Sequence, residues 1–175
     1  MAKTIRIGLS AAGISSTIRE YDRWRTDFES KVNAFLKALA DEGLEVASVN
    51  FQSAVYDGTN DVTVRLEEKS DTCIAVVATG ETVLFIEFGS GIRYPDNHPE
   101  AADLGMVRGE YGYGQGGNLW GWTYRGDPGS NGMMIYKGWQ GGKVHTFGNP
   151  ANMAMYRSKE ELENRFADIA RRIFK

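Results

Sequence analysis

The chain has 175 residues, 42% of them apolar or aromatic and 25% charged, which suits one domain with a real core and excludes general disorder. A net charge of −3 gives no electrostatic footprint for free DNA or RNA, and no apolar run approaches the roughly eighteen residues of a membrane span. A single cysteine excludes an intrachain disulfide, and MAKTIRIGLS lacks the apolar run of a signal peptide, so a reducing cytoplasm is the expected place of synthesis and assembly.

Residues 4–9 (TIRIGL) alternate and read as a short strand. A long helix follows, because Ile14, Ile18, Tyr21, Trp24, Phe28, Val32, Phe35, Leu36 and Leu39 recur at steps of three and four and form one apolar stripe. Thr17 with Glu20 fits a capping box at its start, and Ser15 is an equally allowed start. Gly43 is the expected stop, which makes a rod of roughly 40 Å at 1.5 Å per residue. Residues 44–56 read as a second, shorter helix, with a strand as the alternative. The turn DGTND (57–61) then leads to a strand alternating at Val62, Val64 and Leu66. Cys73 to Thr79 is continuously apolar and reads as a partner strand buried on both sides, with Cys73 a small buried hydrophobe. Residues 80–88 (GETVLFIEF) fit either a strand or two helical turns.

Residues 89–142 show no regular pattern. Fourteen of the 21 glycines lie between Gly105 and Gly148, so the glycine excess is local. Residues 143–147 (KVHTF) suit a strand. Ser158 and Glu161 form a second capping box, and Leu162, Phe166, Ile169 and Ile173 give a C-terminal helix whose basic Arg165, Arg171, Arg172 and Lys175 read as a solvated face. The expected fold class is α+β. A small antiparallel sheet packs with a long N-terminal and a C-terminal helix, in one domain over 1–175 with a Gly- and aromatic-rich loop inserted at about 89–142.

Chemistry is harder to place on this chain. Gly112, Gly114 and Gly117 satisfy the spacing of a dinucleotide loop, but no strand precedes them and no helix follows to hold a pyrophosphate. Asp96, His98, Glu100 and Asp103 crowd together as metal ligands do, yet a turn-forming polar loop explains them equally well. Glu87, inside FIEF, is either a general acid or a structural carboxylate bonded to nearby amides, with the Gly89–Gly91 turn the expected donor. No motif supplies it with a nucleophile or base, so no catalytic residue, cofactor or metal is assigned. Tyr111, Tyr113, Trp120, Trp122, Tyr124 and Trp139 remain. They either cover the domain's own sheet or form a subunit interface, since aromatics bury much area at small entropic cost.

FIEFGSG, then His98-Pro-Glu-Ala101, then GWTY at 121–124, then TFGNPANMAMYRS leading into a helix, resembles the tail-component (tail-completion, neck) family of tailed bacteriophages. The likeness runs over roughly residues 57–174, and its order and spacing carry it. Its motif positions include Glu87, Phe88, Gly89, Gly91, Pro150 and Met155. The resemblance implies a non-enzymatic virion protein at the head–tail joint, acting as a homo-oligomeric ring, typically of six subunits. That ring caps the tail tube, meets the head connector or stopper proteins, and lets DNA pass through its bore. A head-closure (stopper) ring is the nearest alternative. From other classes, a carbohydrate- or cell-wall-binding module stacking sugars on Trp120, Trp122 and Tyr124 and a hydrolase built on Glu87 with Asp96 or Glu100 also fit the residues.

Overall fold

One helix dominates the computed structural model, which describes residues 4, 6, 8–91, 98–106, 120–129, 132–138 and 141–175. Helix α1 spans Ala11–Gln52, 42 residues, or about 63 Å. It joins the two helices expected on either side of Gly43. It begins at Ser10, whose side chain accepts from the Gly13 N–H at 3.1 Å. Ser15 and Thr17 do not cap; their hydroxyls bond back to the carbonyls of Ala11 and Gly13. The described residues of 4–9 lie in no strand.

Gly43 is an approach point instead of a stop. A Cβ there would sit 3.0 Å from Leu162 Cδ1 and 3.0 Å from Val76 Cγ2. Glycine costs about 1 kcal/mol in a helix interior, and here that loss is offset by letting the helix close on two neighbours at once.

Strands β1 (Thr63–Ser70) and β2 (Cys73–Thr79) form the expected antiparallel hairpin, with Leu66 opposite Val76. Both strands pack on α1. Among the described residues the sheet has only these two strands, so β2 is half-buried, not enclosed on both sides, and Cys73 is exposed at its start. Residues 83–88 resolve as a short helix, α2 (Val83–Phe88).

The stretch expected to be structureless contains two strands, β3 (Trp122–Gly126) and β4 (Met133–Gly138). With β5 (Gly141–Thr146) they make an antiparallel sheet in the order β3-β5-β4. Their pattern is muted by glycine and by a register shift between Met134 and Tyr136.

Helix α3 (Ala154–Ile173) starts a full turn before the predicted capping box. Ser158 is a buried helical residue whose hydroxyl donates to the Ala154 carbonyl at 2.6 Å and accepts from Asn50 Nδ2. Against α1, Phe35 meets Phe166 edge-on at 5.1 Å and Phe174 at 5.7 Å, while Arg165 bridges Glu42 and Glu161. Phe51, Ile86 and Ala154 form the buried centre where α1, α2 and α3 converge, joined by Tyr56, Val64 and Met155. The whole is an α+β arrangement of a long N-terminal helix and a C-terminal helix with small antiparallel sheets.

Gly43→Leu forces α1 away from α3 and β2. Its expected cost is about 1–3 kcal/mol of unfolding free energy, read as a lower urea midpoint with an unchanged slope.

Candidate interaction site

The motif residues around Glu87 and Pro150 meet in space and are structural. Helix α3 begins after Met153, a non-glycine residue held at φ 55°, ψ 42°, whose side chain makes no cap bond. Glu87 supplies the cap from elsewhere in the chain. Its Oε2 accepts from the Met155 N–H at 2.7 Å and its Oε1 from the Tyr156 N–H at 3.0 Å. A carboxylate at a helix N-terminus satisfies free amides and complements the helix dipole. The donors are therefore the first amides of α3, not those of the Gly89–Gly91 turn.

His98 completes the group. Its Nδ1 accepts from the Glu100 N–H at 3.2 Å, which leaves the ring hydrogen on Nε2 to donate to Glu87 Oε1 at 3.1 Å. Both ring nitrogens are thereby engaged. The ring packs against Phe88, which with Ala101 and Met106 forms a second small core. Glu100 pairs with Lys159 on α3 at 2.6 Å. Asp96 lies outside the described residues, among which no group of three His, Cys, Asp or Glu is placed to hold a metal.

The same region is stitched by backbone and amide bonds. Ser90 and Asn149 exchange N–H···O bonds at 2.9 and 3.2 Å, and Asn152 Oδ1 accepts from the Val55 N–H. A Cβ on Gly89 would come 2.7 Å from the Asn149 oxygen, and one on Gly148 would overlap the Ser90 carbonyl, so both positions require glycine. Pro150 is half-buried between Asn149 and Asn152 in this crossing.

The predicted aromatic surface divides. Tyr111, Tyr113, Trp139 and the Gly112–Gly117 segment lie outside the described residues. Trp120 is 81% exposed. Trp122 and Tyr124 are half-buried on one face of β3, opposite Thr146 and Val144. The Trp122 ring lies over Gly91, where a Cβ would come within 2.6 Å of it. The Tyr124 hydroxyl donates to the Asp127 carbonyl at 2.6 Å. It is pushed up to about 12, by burial first and then by the charge of Asp57 and by Tyr56 and Asp127.

Two apolar faces escaped the sequence reading as surfaces. The α1 stripe divides at Phe28, which touches Phe174 at the end of α3. C-terminal to it, Val32, Phe35, Leu36 and Leu39 are half-buried. N-terminal to it, every residue from Ile18 onward is exposed, as is Ile14, so Ile14, Ile18, Tyr21 and Trp24 point into solvent along about 15 Å of helix. Tyr21, Trp24 and Phe28 stack in sequence at 6.0 and 5.6 Å and present a continuous aromatic ridge. The second face is the edge strand β4, where Met133, Met134, Ile135 and Tyr136 are all exposed. The heptad-like spacing marked the first; its extension beyond the reach of α3 was the missing signal.

Searches of family models, curated proteins and solved structures find no match to this chain. Among the described residues no helix is long and apolar enough to cross a membrane.

Glu87→Gln replaces the charged acceptor of two amides and keeps its shape. The expected loss is about 1–3 kcal/mol in urea unfolding, with α3 amides exchanging first in hydrogen-exchange measurements. Tyr124 gives an alkaline signature. Its folded value lies above the usual 10.0, so its contribution is intact below pH 10 and disappears as pH rises towards about 12. Stability measured across that window falls in the wild type, and Tyr124→Phe makes the fall shallower.

Proposed function

We propose that this chain is a structural subunit of the head–tail joint of a tailed bacteriophage, a tail-completion protein that assembles with copies of itself into a ring. The observation that carries the reading is the bare aromatic half of α1. Contiguous exposed apolar surface of this kind marks an interaction site.

Supporting it, the segments that resemble the neck family, 85–91 and 146–155, are also the ones that cap and stitch the fold. Glu87 has its carboxylate engaged by α3 and His98, which suits a scaffold role. In a closed ring each subunit offers one patch to a different patch on the next. The two exposed faces, the α1 ridge and β4, are chemically alike and structurally distinct, which suits such a heterologous contact. Head connector and tail-tube proteins are the partners proposed above and below the ring, and DNA the cargo of its bore. The host cytoplasm is the proposed place of assembly and the virion neck the final location.

The test is a mixing experiment read by analytical ultracentrifugation. The wild type is expected to form closed oligomers. Ile18→Glu with Trp24→Glu, and separately Met133→Glu with Ile135→Glu, are expected to be folded monomers. Mixed one to one, they form a dimer and stop, because each retains one intact patch. A wild type that stays monomeric at high concentration, or variants that assemble as it does, would refute the ring.

A further inference from the structure

A cleft of about 340 Å³ opens between the DGTND turn and the β3–β5 sheet, lined by Tyr56, Asp57, Phe85, Trp122, Tyr124 and Arg125. That volume is in the range of small-ligand sites. Its walls are aromatic, and at its edge lies Asp57, 6% exposed.

The hydrogen bonds around Asp57 leave one atom over. The Thr146 hydroxyl donates to Oδ2 and itself accepts from the Gly148 N–H at 2.9 Å. The Asp57 N–H is taken by Asn149 Oδ1 at 2.7 Å, and Asn149 Nδ2 is directed at Ser90 Oγ. The Tyr124 hydroxyl is spent on the Asp127 carbonyl. Each of these donors thus has its own acceptor, and Asp57 Oδ1 is left without a donor. It is the buried side-chain polar atom without a partner among the described residues. A buried acceptor left unpaired is costly, so a site that keeps one is built to receive a donor.

The chemistry of that donor follows from what is open. The local charge is negative, since Asp57 and Asp61 raise the Tyr56 hydroxyl, after burial, as Asp57 and Asp127 do that of Tyr124. A cation is favoured. A metal ion asks for several ligands, and among the described residues no group of three His, Cys, Asp or Glu is placed to supply them. A guanidinium fork asks for both oxygens of a carboxylate, and the second oxygen of Asp57 is taken by the Thr146 hydroxyl. A primary ammonium needs a single strong acceptor, and its aliphatic stem suits aromatic walls that also attract positive charge.

We propose that this cleft binds a primary ammonium group on an apolar stem, received by Asp57 Oδ1 and enclosed by Tyr56, Trp122 and Tyr124. Arg125, exposed at its border, opposes that charge and tunes the affinity. The head group comes either from a free alkylamine or from a lysine of an adjoining copy.

The experiment is a titration of the full chain with n-butylammonium chloride at constant ionic strength, followed by amide chemical shifts, with 1-butanol as the uncharged control. Saturable shifts are expected at Gly58, Tyr124, Thr146 and the Trp122 indole, with millimolar affinity on the order allowed for so few atoms. Asp57→Asn weakens binding by about tenfold or more. Arg125→Glu, a surface change that keeps the inquiry decisive if Asp57→Asn unfolds, tightens it by about threefold or more. Sedimentation of the same samples separates the sources. Oligomers that dissociate as the amine saturates identify the head group as a neighbour's lysine, and binding with unchanged association identifies a free amine. Absence of saturation through about 0.1 M, equal binding of 1-butanol, or indifference to Arg125→Glu overturns the proposal.

Discussion

The fold turns on one buried carboxylate. Glu87 lies in α2, yet its oxygens hold the Met155 and Tyr156 amides in the first turn of α3 and the ring of His98. Burying a charged carboxylate is costly in itself, and only several strong donors offset that cost. Here the donors come from α3, which begins without a side-chain cap of its own, and from the turns at 98–106. The direction in which α3 leaves the core is therefore set by a residue nearly seventy positions earlier. That direction brings Phe166 and Phe174 onto α1 and determines where the cover of α1 ends. The Ser90–Asn149 and Val55–Asn152 bonds lock the same crossing from both sides.

Polar residues do the joining in this molecule, and many of its large apolar side chains face outwards. Phe51, Ile86 and Val144 are the largest fully buried side chains, whereas Trp24, Trp120, Ile135 and Tyr136 are exposed. A protein that worked alone would be expected to invert that allocation. A subunit whose folding is completed by its neighbours would not, because the neighbours supply the rest of the core. In the ring proposed above, the α1 ridge and the β4 face would belong to an interior shared between chains.

Elements with strong periodicity were legible in the sequence. The α1 stripe, the alternation of Val62, Val64 and Leu66, and the steps of α3 each stated their element, because burial on one side imposes a period. Boundaries were less legible. Gly43 reads locally as a stop, but the contact that overrides it lies in Leu162 and Val76, far along the chain. Ser158 and Glu161 match a capping box, yet the true cap, Glu87, is remote and no local rule reveals it. Strands β3 and β4 were hidden since half their positions face solvent with apolar side chains or carry glycine, which erases alternation. At the candidate site, the importance of Glu87 was visible from a charge inside an apolar run, but not its partner. The unpartnered oxygen of Asp57 was invisible, since it depends on where donors distant in sequence are spent.

Cys73 carries a practical consequence. The chain has one thiol, and it stands exposed beside the turn of the β1–β2 hairpin, opposite Ser70. Each molecule therefore accepts a single maleimide dye without engineering. Photobleaching steps in an individual particle would then number its protomers directly.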